Sequence, residues 1–454
     1  MSQLCRFKRQ ALRGLLCSVW LVGTPPHAYT QSAPGAQPSL EQASGAQALI
    51  ALSAPATDEP NISEDDLLRR WLQNSPEVAS WRTQIGSARF DVVTARLWPN
   101  PELQLVGNFL VQGTPPDAKY NYLAQITAPV PIFGQIQARA TAAERAVNVA
   151  ETNVMATLWD RAADVREAMV ERAFSEARVQ MLQGNYRELE RLRTIVQTRA
   201  DVGANSQYDV FRVDTTAGTL AAAVNNAIIQ RELAESKLLA LIADPKLRAA
   251  PIQRAGLAAF RGPENVTKLV ELAVARRPDL MLARRGVVAS QAQAARWKRD
   301  AIPTPSVIGA VYAVDKPYGL QVTGGLSIPL PTTDRNQGLI GRALSEKRGQ
   351  ELLVQALDAR VRIEVSAAWR ARQEARTALE QFRNRSIAAA TEMLKRAENT
   401  YQAGSFSIAQ LFDAYQTMWD ARQQELELER QSADSEAALE RAAVLVPFEV
   451  AQLQ

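Results

Sequence analysis

The feature that most constrains this chain is that it is written twice. Aligning Leu68 to Leu105 with Val270 to Val307 lays Ser75-Pro76-Glu77-Val78 on Arg277-Pro278-Asp279-Leu280, and Trp98-Pro99-Asn100-Pro101 on Ile302-Pro303-Thr304-Pro305. Further on, Ala128-Pro129-Val130-Pro131 pairs with Ile328-Pro329-Leu330-Pro331, and Asp201-Val202-Gly203-Ala204-Asn205-Ser206 with Gln402-Ala403-Gly404-Ser405-Phe406-Ser407. Landmarks in one order at one offset of about 200 residues amount to an internal duplication.

Each copy has the same internal grammar. Ser63 offers an N-cap, Glu64, Asp65 and Asp66 fill the first turn, and Leu67, Leu68, Trp71 and Leu72 supply an apolar stripe. The helix so begun, about 35 residues long, ends at a Pro-x-Pro that lacks donors and disfavours α conformation in the preceding residue. A pair of strands follows. Leu103, Leu105, Gly107, Phe109 and Val111 alternate with Glu102, Gln104, Val106, Asn108, Leu110 and Gln112; after a loop at Gly113-Thr114-Pro115-Pro116-Asp117, Tyr120, Tyr122, Ala124, Ile126 and Ala128 alternate with Lys119, Asn121, Leu123, Gln125 and Thr127. Period two gives one apolar and one largely polar face. In the second copy Leu320, Val322, Gly324, Leu326 and Ile328 repeat that pattern, while Ser306 to Val314 is blurred because Ile308, Ala310 and Tyr312 are apolar too. Strands of this length fit a tilted bilayer crossing or a small soluble sheet with one buried face.

Gln135 to Ala200 and Arg335 to Ala403 are rich in Ala, Arg, Glu and Leu and free of Pro, so each reads as a helix of about 100 Å. Each closes at a glycine, Gly203 or Gly404, and an amphipathic return helix follows, Gln207 to Ala243 and Ile408 to Val446. Two long antiparallel helices on a tight turn make a helical hairpin, which needs partners to bury its stripe.

Composition narrows the function. Lys+Arg total 52 against Asp+Glu 48, interleaved along the chain, whereas a nucleic-acid footprint needs a clustered basic face. The two cysteines, Cys5 and Cys17, and the one histidine, His27, all fall in the first three dozen residues. There Arg6, Lys8, Arg9 and Arg13 precede the apolar run from Leu15 to Gly23, the layout of a secretory signal peptide cleaved between Ala28 and Ala33. Lipidation at Cys17 is disfavoured by the bulk of Leu16 before it. A mature chain without Cys or His has no thiolate or imidazole metal site, no cofactor site and no Ser/His/Asp set, so it does not read as an enzyme. No later segment has the ~18 to 20 apolar residues of a transmembrane helix, so any membrane crossing must use strands.

The duplicated Asn-Ser-Pro-Glu-Val at 74–78 and Arg-Arg-Pro-Asp-Leu at 276–280, the Pro-bounded strand pairs and the motifs at 199–210 and 401–411 together resemble the TolC-like outer-membrane factors, from Ser63 to Val446. The resemblance implies a mainly α fold with a small β part: a trimer in which each chain gives four strands to a twelve-stranded outer-membrane β-barrel, continued by a periplasmic α-helical barrel. It implies an efflux channel with two partners, a periplasmic adaptor that docks on the helical tips and an inner-membrane pump, RND in type. Trp98-Pro99-Asn100-Pro101-Glu102-Leu103 and Pro329 to Gly338 look most like the branch serving heavy-metal pumps of the cobalt-zinc-cadmium or copper-silver type. Drug efflux and type I protein secretion are the alternatives within the family. A periplasmic coiled-coil adaptor is the alternative of another class, but it predicts one hairpin flanked by β-rich modules where this chain has two of each.

Domain bounds follow: signal peptide 1–32, flexible lead-in 33–62, first repeat 63–245 with β-hairpin 101–130 and helical hairpin 134–243, linker 246–263, second repeat 264–446 with β-hairpin 304–330 and helical hairpin 335–446, and tail 447–454. By the resemblance, the tips carry the functional residues. Asp209 and Asp413 are candidates for rings of carboxylates that focus cations at the pore entrance, the plain alternative being helix N-terminal acids favoured by the macrodipole. Gln410 stands where the family often has another acid. Tyr401 is a candidate to hold the mouth shut, and Gly203, Ser206, Gly404 and Ser407 are candidates for adaptor contact, the glycines as turn residues and the serines as N-caps.

Overall fold

A computed structural model describes residues 64–109, 111–112, 120–201, 206–243, 262–314 and 319–444. The signal peptide, the lead-in, Cys17, Gly203, the tail and all but the end of the linker lie outside these described residues.

The leading helix of each copy is two helices and not one. In the first copy α1 (Glu64–Asn74) stops where Ser75, at φ −70° and ψ 121°, is driven into the extended region by the ring of Pro76, and α2 (Pro76–Arg96) begins with that proline in its first turn. The second copy repeats the break: Asn265 caps α5 (Val266–Arg276) by accepting from the N–H groups of Thr267 and Lys268, and Arg277, at ψ 121°, precedes α6 (Pro278–Asp300).

The strands β1 (Glu102–Phe109), β2 (Tyr120–Pro129), β3 (Ser306–Val314) and β4 (Gly319–Ser327) form one antiparallel sheet in the order β1-β2-β3-β4. The two copies therefore join edge to edge, β2 on β3. Register resolves the face that was blurred in the sequence. Leu103 lies opposite Ile126 and Leu105 opposite Ala124, Ala124 opposite Val311 and Ala128 opposite Val307, and Val307 opposite Leu326 and Val311 opposite Val322. One face of all four strands is thus apolar, and the other carries Gln104, Gln125, Ser306, Gln321 and Thr323. No described part of the chain covers the apolar face: Leu105 is 71% exposed and Val322 79%. A soluble sheet would bury such a face, and the described residues leave it uncovered.

From the sheet the chain runs into α3 (Gln135–Asp201) and returns through α4 (Gln207–Ile242); in the second copy α7 (Gln337–Phe382), a five-residue π turn (Arg383–Ile387) and α8 (Ala388–Gln402) make one continuous rod, and α9 (Ile408–Ala443) returns. The 67 residues of α3 span about 100 Å. α3 packs along α4, α2, α6 and α9, while α7 packs along α6 and α9, so the hairpins flank each other through α3 and α9. Where the leading helices meet the rods, each copy has a core. Leu67, Leu68 and Trp71 pack with Val165, Met169, Phe174 and Ile242, and Leu269 and Ala273 with Val361, Val365 and Leu439. Each such buried large side chain contributes about 1.5–3 kcal/mol.

The duplication extends to a charged pair. Arg172 on α3 reaches Glu235 on α4 at 3.3 Å, and Arg372 on α7 reaches Glu436 on α9 at 2.6 Å. The first pair is partly exposed, at 10% and 24% for the two side chains, and the second is buried at 2% and 4%. Burial raises the Glu436 carboxyl above the ordinary carboxylate range even though Arg372 opposes the shift. In the π turn, Arg383 donates to Glu425 at 2.7 Å and to Glu429.

Candidate functional site

The tips of the two hairpins are built from complementary signals. After α8 the chain turns in a Schellman motif: the N–H of Ser405 donates to the carbonyl of Thr400 at 3.1 Å, and that of Gly404 to Tyr401 at 3.0 Å. Gly404 takes φ +76°, which a side chain would resist. Ser407 then caps α9 by accepting from the N–H of Gln410, while the Gln410 side chain accepts from the N–H of Ser407 at 2.9 Å. That reciprocal pair is a capping box, and it gives the amide at 410 a structural role that the missing acid had obscured. Ser-x-x-Gln spacing was a signal for it. In the first copy Ser206 caps α4 by accepting from the N–H of Tyr208 at 3.2 Å.

Asp209 is half-buried in the first turn of α4, Asp413 is exposed in the second turn of α9, and neither carboxylate pairs with another described residue. The duplication does not relate them. Residue 209 corresponds to Gln410, and 413 to Arg212, so the acids are two separate features, one per hairpin.

Tyr401 is 4% exposed, with its hydroxyl enclosed and the Arg199 guanidinium 4.2 Å above its ring. It lies in a core shared by both hairpins of one chain: Leu189, Leu192, Val196, Val210 and Val213 from the first, and Tyr401, Ile408, Leu411, Phe412 and Trp419 from the second. Arg212 stacks over Phe412 at 5.0 Å across the same seam.

Further along the seam is a clasp that spacing in the sequence did not reveal. Trp419 Nε1 donates to Glu188 at 2.9 Å, and Arg422 donates to both Glu188 oxygens at 2.9 and 3.0 Å and to Asn185 at 3.3 Å. Beside it Tyr415 donates to Glu398 at 2.6 Å, and burial and that carboxylate push its hydroxyl pKa well above the phenol range. Among the described residues no group of three or more His, Cys, Asp or Glu could hold a metal ion, and no helix is long and apolar enough to cross a membrane.

Comparison with known proteins agrees with this architecture. Residues 67–244 match the Outer membrane efflux protein family. The cobalt-zinc-cadmium resistance protein CzcC of Cupriavidus metallidurans is 24% identical over 344 residues, 75% of this chain and 79% of that protein. The fold superposes on the crystal structure of CusC with a TM-score of 0.70 at 16% identity, covering 84% of this chain and 91% of that one. It superposes on the open-state MtrE outer membrane channel of Neisseria gonorrhoeae with a TM-score of 0.69 at 17% identity, covering 84% and 88%.

Proposed function

We propose, on the premise that the chain belongs to the outer membrane efflux protein family and is an outer-membrane channel protein with a periplasmic helical extension, that it is the passive exit duct of a tripartite pump whose cargo is heavy-metal cations. The observation that carries the duct is the sheet. Four antiparallel strands expose an apolar face outward, leave a polar face on the other side, and end in unpaired edges at β1 and β4. In hydrocarbon an unpaired strand edge leaves backbone donors and acceptors unsatisfied, at several kcal/mol each, and closure into a barrel removes the edges. Three chains of four strands close such a barrel with the apolar face to lipid and Gln104, Gln125, Gln321 and Thr323 to water. Apolar side chains left uncovered on α2 (Phe90, Val93) and on α7 (Leu352, Leu353) support flanking copies of the same chain.

In this reading the hairpins continue the barrel as a periplasmic tunnel, and an adaptor engages the tips at Gly203, Ser206, Gly404 and Ser407. An inner-membrane pump of the RND type supplies the energy, because the duct has no energised step of its own. Asp209 and Asp413, each present three times around the mouth, favour cations there. Metal cargo is supported by the cobalt-zinc-cadmium resistance protein among the relatives.

The test is the mass of the purified protein in detergent together with its conductance in planar bilayers. A trimer forming discrete channels is expected, and a non-conducting monomer would refute the duct. For cargo, deletion should sensitise cells to cobalt, zinc or cadmium; sensitivity to drugs alone would move the assignment to drug efflux.

A further inference from the structure

We infer that basic side chains at the waist of the duct, Lys237 and Arg430 foremost, occupy the carboxylates of its inner wall and so keep the channel from holding the divalent cations it passes. The inference rests on the duct and cation-cargo readings above and adds the residues that let the cargo through.

Between the rods α3 and α7 the chain places α6 on the side of the sheet and α9 on the side of the tips. Where the start of α6 meets the end of α9, an open cavity of about 1370 Å³ is left, reached by Asp160, Glu167 and Glu171 of α3 and by Arg430, Asp434 and Arg441 of α9. The short helices α1 and α5 pack on other faces of the same rods, Leu67 and Trp71 against Val165 and Met169, and Leu269 against Val361 and Leu439. Val165 and Glu167, like Met169 and Glu171 or Leu439 and Arg441, are two residues apart and therefore about 200° apart around the helix. The cavity and the short helices thus stand on opposite sides of the wall. Three chains, each four helices abreast at this level, close a ring whose bore is about 30 Å at ~10 Å between axes. Six short helices inside would plug it, so α1 and α5 stand outside and the cavity opens inward.

The acids on that inner wall are held by cations of the same chain. Asp160 accepts from Arg441, Glu171 accepts from the Lys237 ammonium at 2.7 Å, and Asp434 lies 3.5 Å from Arg430. Across the cavity Arg277 reaches Asp279 at 2.7 Å and also pairs with Glu364, to which Arg360 donates as well. Glu167 stands one turn before Glu171, and its charge acts on both Lys237 and Asp434. The bond to Glu171, with the charges of Glu171 and Glu167, raises the Lys237 ammonium above the ordinary lysine range, so it stays protonated.

Without those cations the wall would be a trap. Glu167 and Glu171 are four residues apart on one helix face, a spacing at which two side chains can close on one ion, and carboxylate oxygens ligate zinc. A conducting path must bind its ion weakly enough to let it go. A tethered ammonium on α4 and a guanidinium on α9 stand where the passing ion would otherwise settle.

The test is block of single channels by zinc chloride in planar bilayers. The parent channel carries Asp209→Asn and Asp413→Asn, so that binding at the mouth does not intrude. Lys237 and Arg430 have side chains 50% and 51% exposed, so Lys237→Gln with Arg430→Gln should fold. That pair should lower the zinc concentration for half-block about tenfold or more while potassium chloride conductance stays within about twofold. Adding Glu167→Gln and Glu171→Gln should restore the parent value, and Lys237→Arg alone should match the parent. Unchanged zinc sensitivity in the Lys237→Gln, Arg430→Gln channel overturns the inference, as does sharpened block that persists once Glu167 and Glu171 are neutralised. Wild-type protein that forms no channel removes the duct reading itself.

Discussion

Replacing Arg372 with Met, and separately Arg172 with Met, applies one chemical change at two positions that the duplication makes equivalent. The stem is kept and the guanidinium removed. At Arg372 the partner left behind is Glu436, whose side chain is 4% exposed; Arg376 acts on it through charge alone, and Glu264, 3.4 Å from the guanidinium, is an acid. Stranding one member of a buried pair costs about 3–5 kcal/mol. At Arg172 the partners Glu235 and Glu176 are 24% and 29% exposed and keep much of their hydration, so the loss should fall nearer the exposed-pair range, about 1 kcal/mol. The larger loss should also depend on pH. Burial already raises the Glu436 carboxyl, and without Arg372 it rises further. A group whose folded-state pKa is raised favours the folded state below its unfolded pKa, and that benefit is lost as pH rises through the folded value. The Arg372→Met protein should therefore recover stability on acidification from neutral to about pH 5, relative to wild type, because the lone carboxyl takes up a proton. Thermal midpoints by far-ultraviolet circular dichroism at one fixed scan rate suit a membrane-channel protein whose unfolding is not two-state. Equal shifts for the two variants, or an Arg372→Met deficit that does not shrink in acid, would refute the reasoning.

Three further outcomes are expected. Gly404→Ala should lower stability by about 1–2 kcal/mol through its left-handed backbone alone, since no atom would meet the new Cβ within 4 Å; Gly404→Asn should lose less, and equal midpoints for the two would contradict this. Ser407→Ala should lose about 1 kcal/mol with the capping box, whereas Gln410→Glu, which can rebuild the box, should hold its thermal midpoint. Val322→Lys, on the apolar face, should impair folding into lipid vesicles by about 2–4 kcal/mol if it lies at mid-depth, while Gln321→Lys on the opposite face should insert as wild type; the reverse order would turn the sheet inside out.

Much of this architecture was legible because it depends on period and punctuation. Strand ends predicted from alternation and Pro-x-Pro fall within a few residues of those observed, the long rods run where expected, and Ser206 and Ser407 cap the return helices, while Ser63 lies outside the described residues. Each leading helix splits in two where its apolar stripe alone predicts one helix of about 35 residues, because Pro76 and Pro278 force their predecessors out of the α region. The blurred face of β3 needed register, because only a neighbour at a known position shows which of two apolar faces continues the sheet. Pairings such as Glu188 with Trp419 carry no local signature, since either residue alone reads as an ordinary surface acid or core aromatic. Likewise, sequence offered no means of telling that Arg372 is buried while Arg172 remains partly wet.

The π turn at Arg383–Ile387 bears on how such a duplicated rod diverges. Arg172 and Arg372 are 200 positions apart, whereas Ser206 and Ser407, beyond the turn, are 201 apart. The second copy has thus gained one residue between these points, which is where the wide turn sits. Inserted into an unbroken α-helix, one residue would swing everything downstream by about 100° and push it about 1.5 Å along the axis. Every side chain between the insertion and the mouth would then face the wrong neighbour. Confining the surplus to a single loop of backbone, anchored by Arg383 to two acids on the return helix, spared the last 15 residues of the rod that rotation. Evolution could lengthen one arm of the molecule without rewriting the surface it presents at its far end.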